Sequence, residues 1–274
     1  MSLFEAFIFG ILQGITEFLP ISSSAHLKFA KLCLGVPNSE EQVLFDLVCH
    51  LGTLTALLFY LKKEISTLFR RNRQKLFFVL VATFPLVPSY LLLKPLREAA
   101  SQPQFLGLCL IVTAAILWLG QHFRFKRPAM QLASSSEDAN INTMRLGDVL
   151  WIGFAQSAAL IPGISRSAST ISCARSLGWS AKDAVRFSFL LCIPTIIAGN
   201  CLELLKIYVS HPKTLTISFP SCTIGFIASL VFGVISIRWA IPYLEKGNFK
   251  SLAYYCFVLG IVVTAYTQFY HGGH

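Results

Sequence analysis

Long apolar runs alternate with short polar segments along this chain. Six of the runs approach the ~20 residues that a helix needs to cross the hydrocarbon core of a bilayer. They cover residues 43–61, 76–93, 105–119, 187–205, 221–241 and 252–270. The pattern therefore predicts an all-α polytopic membrane protein with six transmembrane helices.

Two further apolar stretches, at residues 3–19 and 149–161, run directly into segments rich in proline and serine. Irregular backbone at membrane depth is tolerated only where protein or a water-filled cavity covers it. We therefore expect two re-entrant helical hairpins in addition to the six spans.

Composition and charge agree with this pattern. Hydrophobic residues make up 54% of the chain and charged residues 13%, against about 25% charged in soluble domains. The net charge of +10 does not indicate a nucleic-acid partner, because the basic residues lie in loops between the spans. They concentrate at residues 62–75 and 120–148, which the positive-inside rule places in the cytoplasm. The loops at 94–104 and 206–220, and both termini, then face outward.

Polar residues recur in matching places in the two halves of the chain. Each half carries a glutamine, a proline six or seven residues later and a serine-rich turn, and the copies are 142 to 143 residues apart. Three predicted spans separate them, and an odd number reverses the orientation. This predicts an inverted-topology repeat, whose broken helices meet near the midplane and form the site. We expect one integral membrane domain, 1–274, with repeats at about 1–120 and 145–274 and a linker at about 121–144.

The first copy, residues 13–26, reads QGITEFLPISSSAH. Gln13 and Glu17 are four residues apart on a helical run and share a face. An ionised carboxylate at bilayer depth costs about 2.5–3.5 kcal/mol and usually marks a functional site. The alternative is a Glu17 that lies near an interface and reaches water.

A serine-rich turn follows Pro20, which ends the first half-helix. Ser22, Ser23 or Ser24 is then placed to cap a second half-helix, in which His26 follows Ser23 by three residues. A serine and a histidine on one face, beside a carboxylate, are typical of nucleophilic or general acid–base chemistry. The alternative is that the serines only cap the helix.

The second copy, residues 156–170, reads QSAALIPGISRSAST. Gly163 permits close backbone approach to a ligand, and Ser165 is placed to cap the next helix. Arg166 and Thr170 share a face, and the planar guanidinium of Arg166 suits bidentate binding of a phosphate.

Two helix N-termini, one from each copy, would point at the same place. Helix N-termini attract anions, so we expect a doubly charged anion there, and a pyrophosphate is the natural candidate. The alternative role for Arg166 is an ion pair with Glu17 that holds the two hairpins together.

Asp46 and His50 are also four residues apart, within an apolar run. The sequence leaves two roles open for them: a second shell around the first hairpin, or an ordinary hydrogen bond between helices.

The two motifs resemble those of the undecaprenyl-pyrophosphate phosphatase family, also called the bacitracin-resistance proteins. Residues 13–26 match the family's (E/Q)-x-x-x-E and S-S-x-x-H blocks, and residues 162–170 match P-G-x-S-R-S-x-x-T. Residues 45–52 and 187–194 fit accompanying segments. The resemblance implies an enzyme of the bacterial inner membrane that removes the terminal phosphate from the C55 isoprenyl pyrophosphate. The monophosphate product is the carrier of cell-wall precursors, and the site would open to the outer side.

The resemblance also implies roles for single residues. The catalytic set would be Glu17, Ser23, His26 and Arg166, with either Ser23 or His26 as the nucleophile. A divalent metal, Mg²⁺ or Ca²⁺, would lie on Gln13 and Glu17; here Gln13 replaces the carboxylate of many members, and an amide oxygen binds hard cations more weakly. The remaining binding residues would be Ser22, Ser24, Gly163, Ser165, Ser167 and Thr170.

Two other functions compete with this interpretation. A transporter or flippase of the prenyl phosphate carrier would use the same anion site without chemistry at the first hairpin. A second lipid phosphatase superfamily is echoed superficially at residues 126–128, KRP. The partners expected are the prenyl pyrophosphate lipid and membrane lipids, and homodimerisation stays open.

Overall fold

Every regular element is helical in the computed structural model, which describes residues 1–37, 39–123, 144–210 and 218–271. The prediction of an all-α fold is confirmed for these ranges. The helices are α1 Leu3–Thr16, α2 Ser23–Cys33, α3 Glu40–Tyr60, α4 Lys62–Arg70, α5 Arg73–Thr83, α6 Leu86–Leu92, α7 Lys94–Ala100, α8 Leu106–His122, α9 Leu146–Ser157, α10 Arg166–Ser176, α11 Ala181–Ser210, α12 Phe219–Glu245 and α13 Lys250–His271.

Six helical segments of the described chain are long and apolar enough to cross a membrane. They are Glu40–Tyr60, Arg73–Leu92, Pro103–His122, Ala181–Val209, Phe219–Glu245 and Lys250–Phe269. Each predicted span overlaps one of them, with ends that differ by one to six residues. The second span is not one continuous helix. Helix α5 ends before Phe84 and Pro85, and α6 begins after them. Proline lacks the backbone N–H that a continuous helix needs.

Two pairs of short helices interrupt the series of spans. The first pair is α1 and α2, and the second is α9, extended by a 3₁₀ turn at Ala158–Leu160, and α10. At about 1.5 Å per residue the 14 residues of α1 reach about 21 Å, less than the ~30 Å of a hydrocarbon core. Their breaks coincide with the two motifs. Entry of the pairs from opposite sides stays a prediction, and most of the expected linker lies outside the described residues.

The packing of the two halves is reciprocal. Helix α1 packs along α12, and α9 packs along α5, so that each half supplies the span that supports the other half's broken helix. Likewise α3 contacts α12 while α11 contacts α5, and α8 pairs with α13. Such an exchange of partners is what a twofold relation between the halves produces, and it brings the two breaks to the same place.

Small residues allow α1 and α12 to approach closely. A Cβ atom at Gly10 would lie 2.7 Å from the Cβ of Ala228, and one at Gly14 would lie 2.9 Å from the backbone nitrogen of Gly233. Contacts of this kind drive association of helices in membranes, where lipid is as apolar as leucine. The interface fixes the side of α1 that carries Gln13, and so it orients the first motif.

Candidate active site

The first break in the helices is a tight turn between α1 and α2. Helix α1 ends at Thr16, and Ser22 caps α2 by accepting a hydrogen bond from the backbone N–H of Ala25 (3.3 Å). Ser22 has a φ of 70°, and no other non-glycine residue in the described ranges has a positive φ. Such backbone strain clusters at functional sites. The turn directs the N-terminus of α2 towards the second motif.

The second break is held by a threonine from a neighbouring span. Gly163 has a φ of +100°, and a Cβ atom there would lie 2.6 Å from the Cβ of Cys109. The hydroxyl of Thr113 donates to the carbonyl of Gly163 (3.3 Å) and accepts from the backbone N–H of Ser165 (3.1 Å). Ser165 in turn caps α10, as predicted, through the N–H of Ala168. Thr113 lies in an apolar run without other strongly polar residues, so no local pattern assigns it to the site.

The two breaks contact each other. The backbone N–H of Gly163 donates to the hydroxyl of Ser24 (3.3 Å), and the hydroxyl of Ser167 donates to the carbonyl of Leu19 (3.3 Å). The N-termini of α2 and α10 therefore lie side by side, which provides the paired anion-attracting ends that the sequence led us to expect.

Glu17 is the centre of the polar cluster. It is 7% exposed. Its Oε1 accepts from the guanidinium of Arg166 (3.1 Å), and its Oε2 accepts from the hydroxyl of Ser23 (2.7 Å) and from the amide of Gln13 (3.0 Å). A buried carboxylate needs such partners, because an unpaired buried charge is strongly destabilising. Glu17 is thus held by protein partners and does not extend into water, which was the alternative left open by the sequence.

Arg166 begins α10 and joins the two motifs. Besides the ion pair with Glu17, it donates to the backbone carbonyl of Cys192 on α11 (3.4 Å). The ion pair that the sequence offered as an alternative role is thus present. A guanidinium carries five N–H donors, and these two contacts within the described residues leave further donors for an anion.

The structure pairs Ser23 with Glu17 and not with His26. Nδ1 of His26 lies 2.7 Å from the carbonyl oxygen of Ser22, and Nε2 lies 2.8 Å from the hydroxyl of Tyr255. No hydrogen bond joins the imidazole to the Ser23 hydroxyl among the described residues. Tyr255 belongs to α13, within the apolar run at residues 252–270.

Asp46 and His50 have different partners. Nδ1 of His50 lies 2.8 Å from the amide nitrogen of Gln13 and 3.7 Å from Oε2 of Glu17, so this side chain surrounds the first motif directly. Asp46 instead binds the ammonium group of Lys31 with both carboxylate oxygens (2.7 Å each). Asp46 therefore fastens α3 to α2, outside the cluster around Glu17.

The remaining motif hydroxyls contact each other or a neighbouring helix. Ser22 and Ser24 lie 3.3 Å apart, and Ser165 and Ser167 lie 3.2 Å apart, oxygen to oxygen. Thr170 is turned towards α11, where its hydroxyl lies 2.6 Å from that of Ser188.

The implied divalent cation can be tested against the oxygen atoms of the cluster. Oε1 of Gln13 is buried and accepts no hydrogen bond from any described residue. With the Glu17 carboxylate it offers two oxygen ligands, and no group of three or more His, Cys, Asp or Glu side chains suited to a metal occurs in the described ranges. Mg²⁺ is commonly held by one or two carboxylates plus substrate phosphates and water. The residues fit a cation of that kind.

The comparisons with known proteins agree with this geometry. The family model described as bacitracin resistance protein BacA matches residues 6–262. The undecaprenyl-diphosphatase of Protochlamydia amoebophila is 41% identical over 271 residues, which cover 98% of this chain and 100% of that protein. The enzyme of the same name from Methanobrevibacter smithii is 32% identical over 96% of this chain and 97% of its own length. The chain belongs to the bacitracin resistance protein BacA family.

Proposed function

We propose that this protein is a membrane phosphatase that hydrolyses undecaprenyl pyrophosphate to undecaprenyl phosphate and inorganic phosphate. Family membership and the names of its relatives support the activity. The observation that carries the proposal is the hydrogen bond from the Ser23 hydroxyl to Glu17 (2.7 Å), beside the guanidinium of Arg166. It joins a nucleophile, a base and a phosphate-binding cation in one cluster.

The pyrophosphate would bind where the N-termini of α2 and α10 meet. The free N–H groups of Arg166 and of the two helix ends attract its oxygens. The prenyl tail would lie among the six apolar helices, in contact with membrane lipids. The excess of lysine and arginine at residues 62–75 and 120–148 supports a site that faces the outer side of the bacterial inner membrane.

Ser23 acts first in this mechanism. Its hydroxyl oxygen attacks the terminal phosphorus, and its proton passes to Oε2 of Glu17, with which it already shares a hydrogen bond. The bond from phosphorus to the bridging oxygen breaks, and the lipid phosphate leaves as an anion. Arg166 stabilises the negative charge that develops on the transferring group. The product of this half-reaction is a phosphoserine.

The second half-reaction requires another base. Water attacks the phosphoserine, and Glu17 returns its proton to the departing oxygen of Ser23. Because Glu17 is protonated at this stage, the proton of the water must go elsewhere. Nε2 of His26 takes it, since the Nδ1 of that ring faces the carbonyl of Ser22 and so carries the hydrogen. The phosphate then leaves, and His26 releases its extra proton to water, which restores the site.

A divalent cation would be held by Gln13 and Glu17. When bound, it supplies Lewis-acid neutralisation of the phosphate charge. Gln13 takes the amide option that the family block allows at this position, and its amide donates to Glu17 (3.0 Å) and so keeps that carboxylate in place.

The competing function, a flippase of the carrier lipid, does not account for the Ser23–Glu17 hydrogen bond. Transport requires an anion site but no activated hydroxyl. The cluster therefore favours the enzyme.

Phosphate release from purified protein and C55 pyrophosphate tests the proposal. We expect the Ser23→Ala variant to lose at least about a hundredfold in turnover, as is common when a nucleophile is removed. Rapid acid quench should trap an acid-stable, alkali-labile phosphoenzyme in the wild type and none in Ser23→Ala. Ser172→Ala is the control, because Ser172 is a buried serine whose hydroxyl has no partner in the described residues.

Two results would overturn the proposal. One is a wild-type protein that releases no phosphate while it still moves the carrier lipid across vesicles. The other is an acid-labile, alkali-stable adduct that persists in Ser23→Ala and vanishes in His26→Ala, which would make His26 the nucleophile.

A further inference from the structure

The imidazole of His26 is held at both of its nitrogen atoms. A carbonyl oxygen only accepts hydrogen bonds, so Nδ1, which lies 2.7 Å from the carbonyl of Ser22, carries the hydrogen. In the neutral ring Nε2 then has a free lone pair. The hydroxyl of Tyr255, 2.8 Å away, donates to that lone pair. The base of the second half-reaction is therefore engaged by a residue outside both motifs.

Tyr255 also fixes the plane of the imidazole. The two rings are stacked, with centroids 5.7 Å apart and planes inclined by 9°. A second aromatic contact links the same two helices, where Phe29, one turn after His26 on α2, meets Tyr266 of α13 edge to face (5.5 Å). Helix α13 comes from the second half of the chain, whereas His26 belongs to the first. Rotation of the His26 ring is thus restrained from across the molecule.

We propose that Tyr255 positions His26 for the second half-reaction: its ring and hydroxyl hold the imidazole, and its hydroxyl hydrogen moves to Nε2 as its oxygen takes the proton of the attacking water. The kinetic consequence rests on the function proposed above, whereas the hydrogen bond itself does not. The Tyr255→Phe variant separates the two contributions, because it keeps the stacked ring and removes only the hydroxyl.

The hydrogen bond can be observed without any turnover. In protein labelled with ¹⁵N-histidine, the resonance of the unprotonated Nε2 of His26 is assigned by its loss in His26→Asn. We expect Tyr255→Phe to move this resonance to higher frequency, towards that of an imidazole nitrogen without a donor. The matched control is Tyr254→Phe, which removes the hydroxyl of the adjacent, 71% exposed tyrosine and should leave the resonance in place.

Steady-state kinetics then test the role of Tyr255 in the second half-reaction. If only dephosphorylation slows, kcat and KM fall together and kcat/KM stays constant, because kcat/KM reports the steps up to formation of the phosphoserine. We expect both parameters to fall about three- to tenfold in Tyr255→Phe, the effect of one lost hydrogen bond. The quenched phosphoenzyme should rise in parallel, and His26→Ala should show the same pattern more strongly.

The outcomes separate this inference from the proposed function. An unchanged Nε2 resonance in Tyr255→Phe would show that the hydroxyl does not bind the imidazole. A fall in kcat/KM as large as the fall in kcat would show that Tyr255 serves binding or folding, and would overturn the positioning role. If the wild type hydrolyses no pyrophosphate but its Nε2 resonance still differs from that of Tyr255→Phe, the proposed function is wrong and the hydrogen bond is nevertheless present.

Discussion

Replacement of Arg166 by lysine tests whether the shape of the cation matters as well as its charge. The guanidinium spans two elements at once: one nitrogen donates to Glu17 (3.1 Å) and another to the carbonyl of Cys192 (3.4 Å). Lysine offers one nitrogen with three rotatable donors. It can pair with Glu17 or reach a phosphate, but it cannot do both with a fixed geometry.

The expected loss can be estimated from the contacts that lysine cannot make. A hydrogen bond to a charged group contributes about 1.5–3 kcal/mol. If one such bond to the phosphate is lost in the transition state, kcat falls about 10- to 150-fold, since about 1.36 kcal/mol corresponds to a factor of ten. The variant keeps a positive charge beside Glu17, so we expect it to fold and to stay in the membrane.

The assay is phosphate release at saturating C55 pyrophosphate. Arg186→Lys provides a matched control, because that arginine pairs with Glu245 (3.1 Å) and Glu64 (3.6 Å), away from the motifs. We expect the control to stay within about twofold of the wild type, as is usual for a surface ion pair. The contrary result is an Arg166→Lys variant that turns over within about threefold of the wild type, which is a barrier change below about 1 kcal/mol. That result would refute the claim that the planar guanidinium is required.

Three further predictions concern the backbone, the topology and the cation. We expect Gly163→Ala to lower the melting temperature and abolish phosphate release, because its Cβ would lie 2.6 Å from that of Cys109 at a φ of +100°; a fully active, equally stable variant contradicts this. In a background without native cysteines, an impermeant thiol reagent applied to intact cells should label Ser101→Cys and not Ser66→Cys, both at exposed positions; reversed labelling overturns the outward-facing site. Gln13→Glu should lower the Mg²⁺ concentration that gives half-maximal activity, since a carboxylate binds hard cations better than an amide; a raised or unchanged requirement argues against a cation there.

The six spans and both breaks were predictable because the signals that define them are local. Length and hydropathy determine a span, and the residues Pro20, Pro162 and Gly163 of the two motifs lie in the breaks between the short helices. The contact between Glu17 and Arg166 was also predictable from the sequence. Two opposite charges that are costly in an apolar setting favour each other over lipid.

The partner of Ser23 was not predictable by the same reasoning. A spacing of three residues shows that His26 lies on the same face of α2, but it does not say where the imidazole turns. The carboxylate that accepts the Ser23 hydroxyl lies across the turn, on the preceding helix. Thr113 and Tyr255 come from spans far away in the sequence, where a single polar residue in an apolar run carries no local signal.

The ion pair between Glu17 and Arg166 connects stability with chemistry. The Glu17 carboxylate is buried and the Arg166 side chain is 16% exposed, and the two come from different halves of the chain, so each motif supplies the counter-charge that the other needs. In the proposed mechanism, a pyrophosphate at the helix ends shares the guanidinium of Arg166 with Glu17, through the donors that the ion pair leaves unused. Glu17 then loses part of its counter-charge at the moment when the proton of Ser23 needs an acceptor. Binding of the substrate thus makes Glu17 a better proton acceptor. Without substrate, the ion pair between Glu17 and Arg166 joins the two motifs.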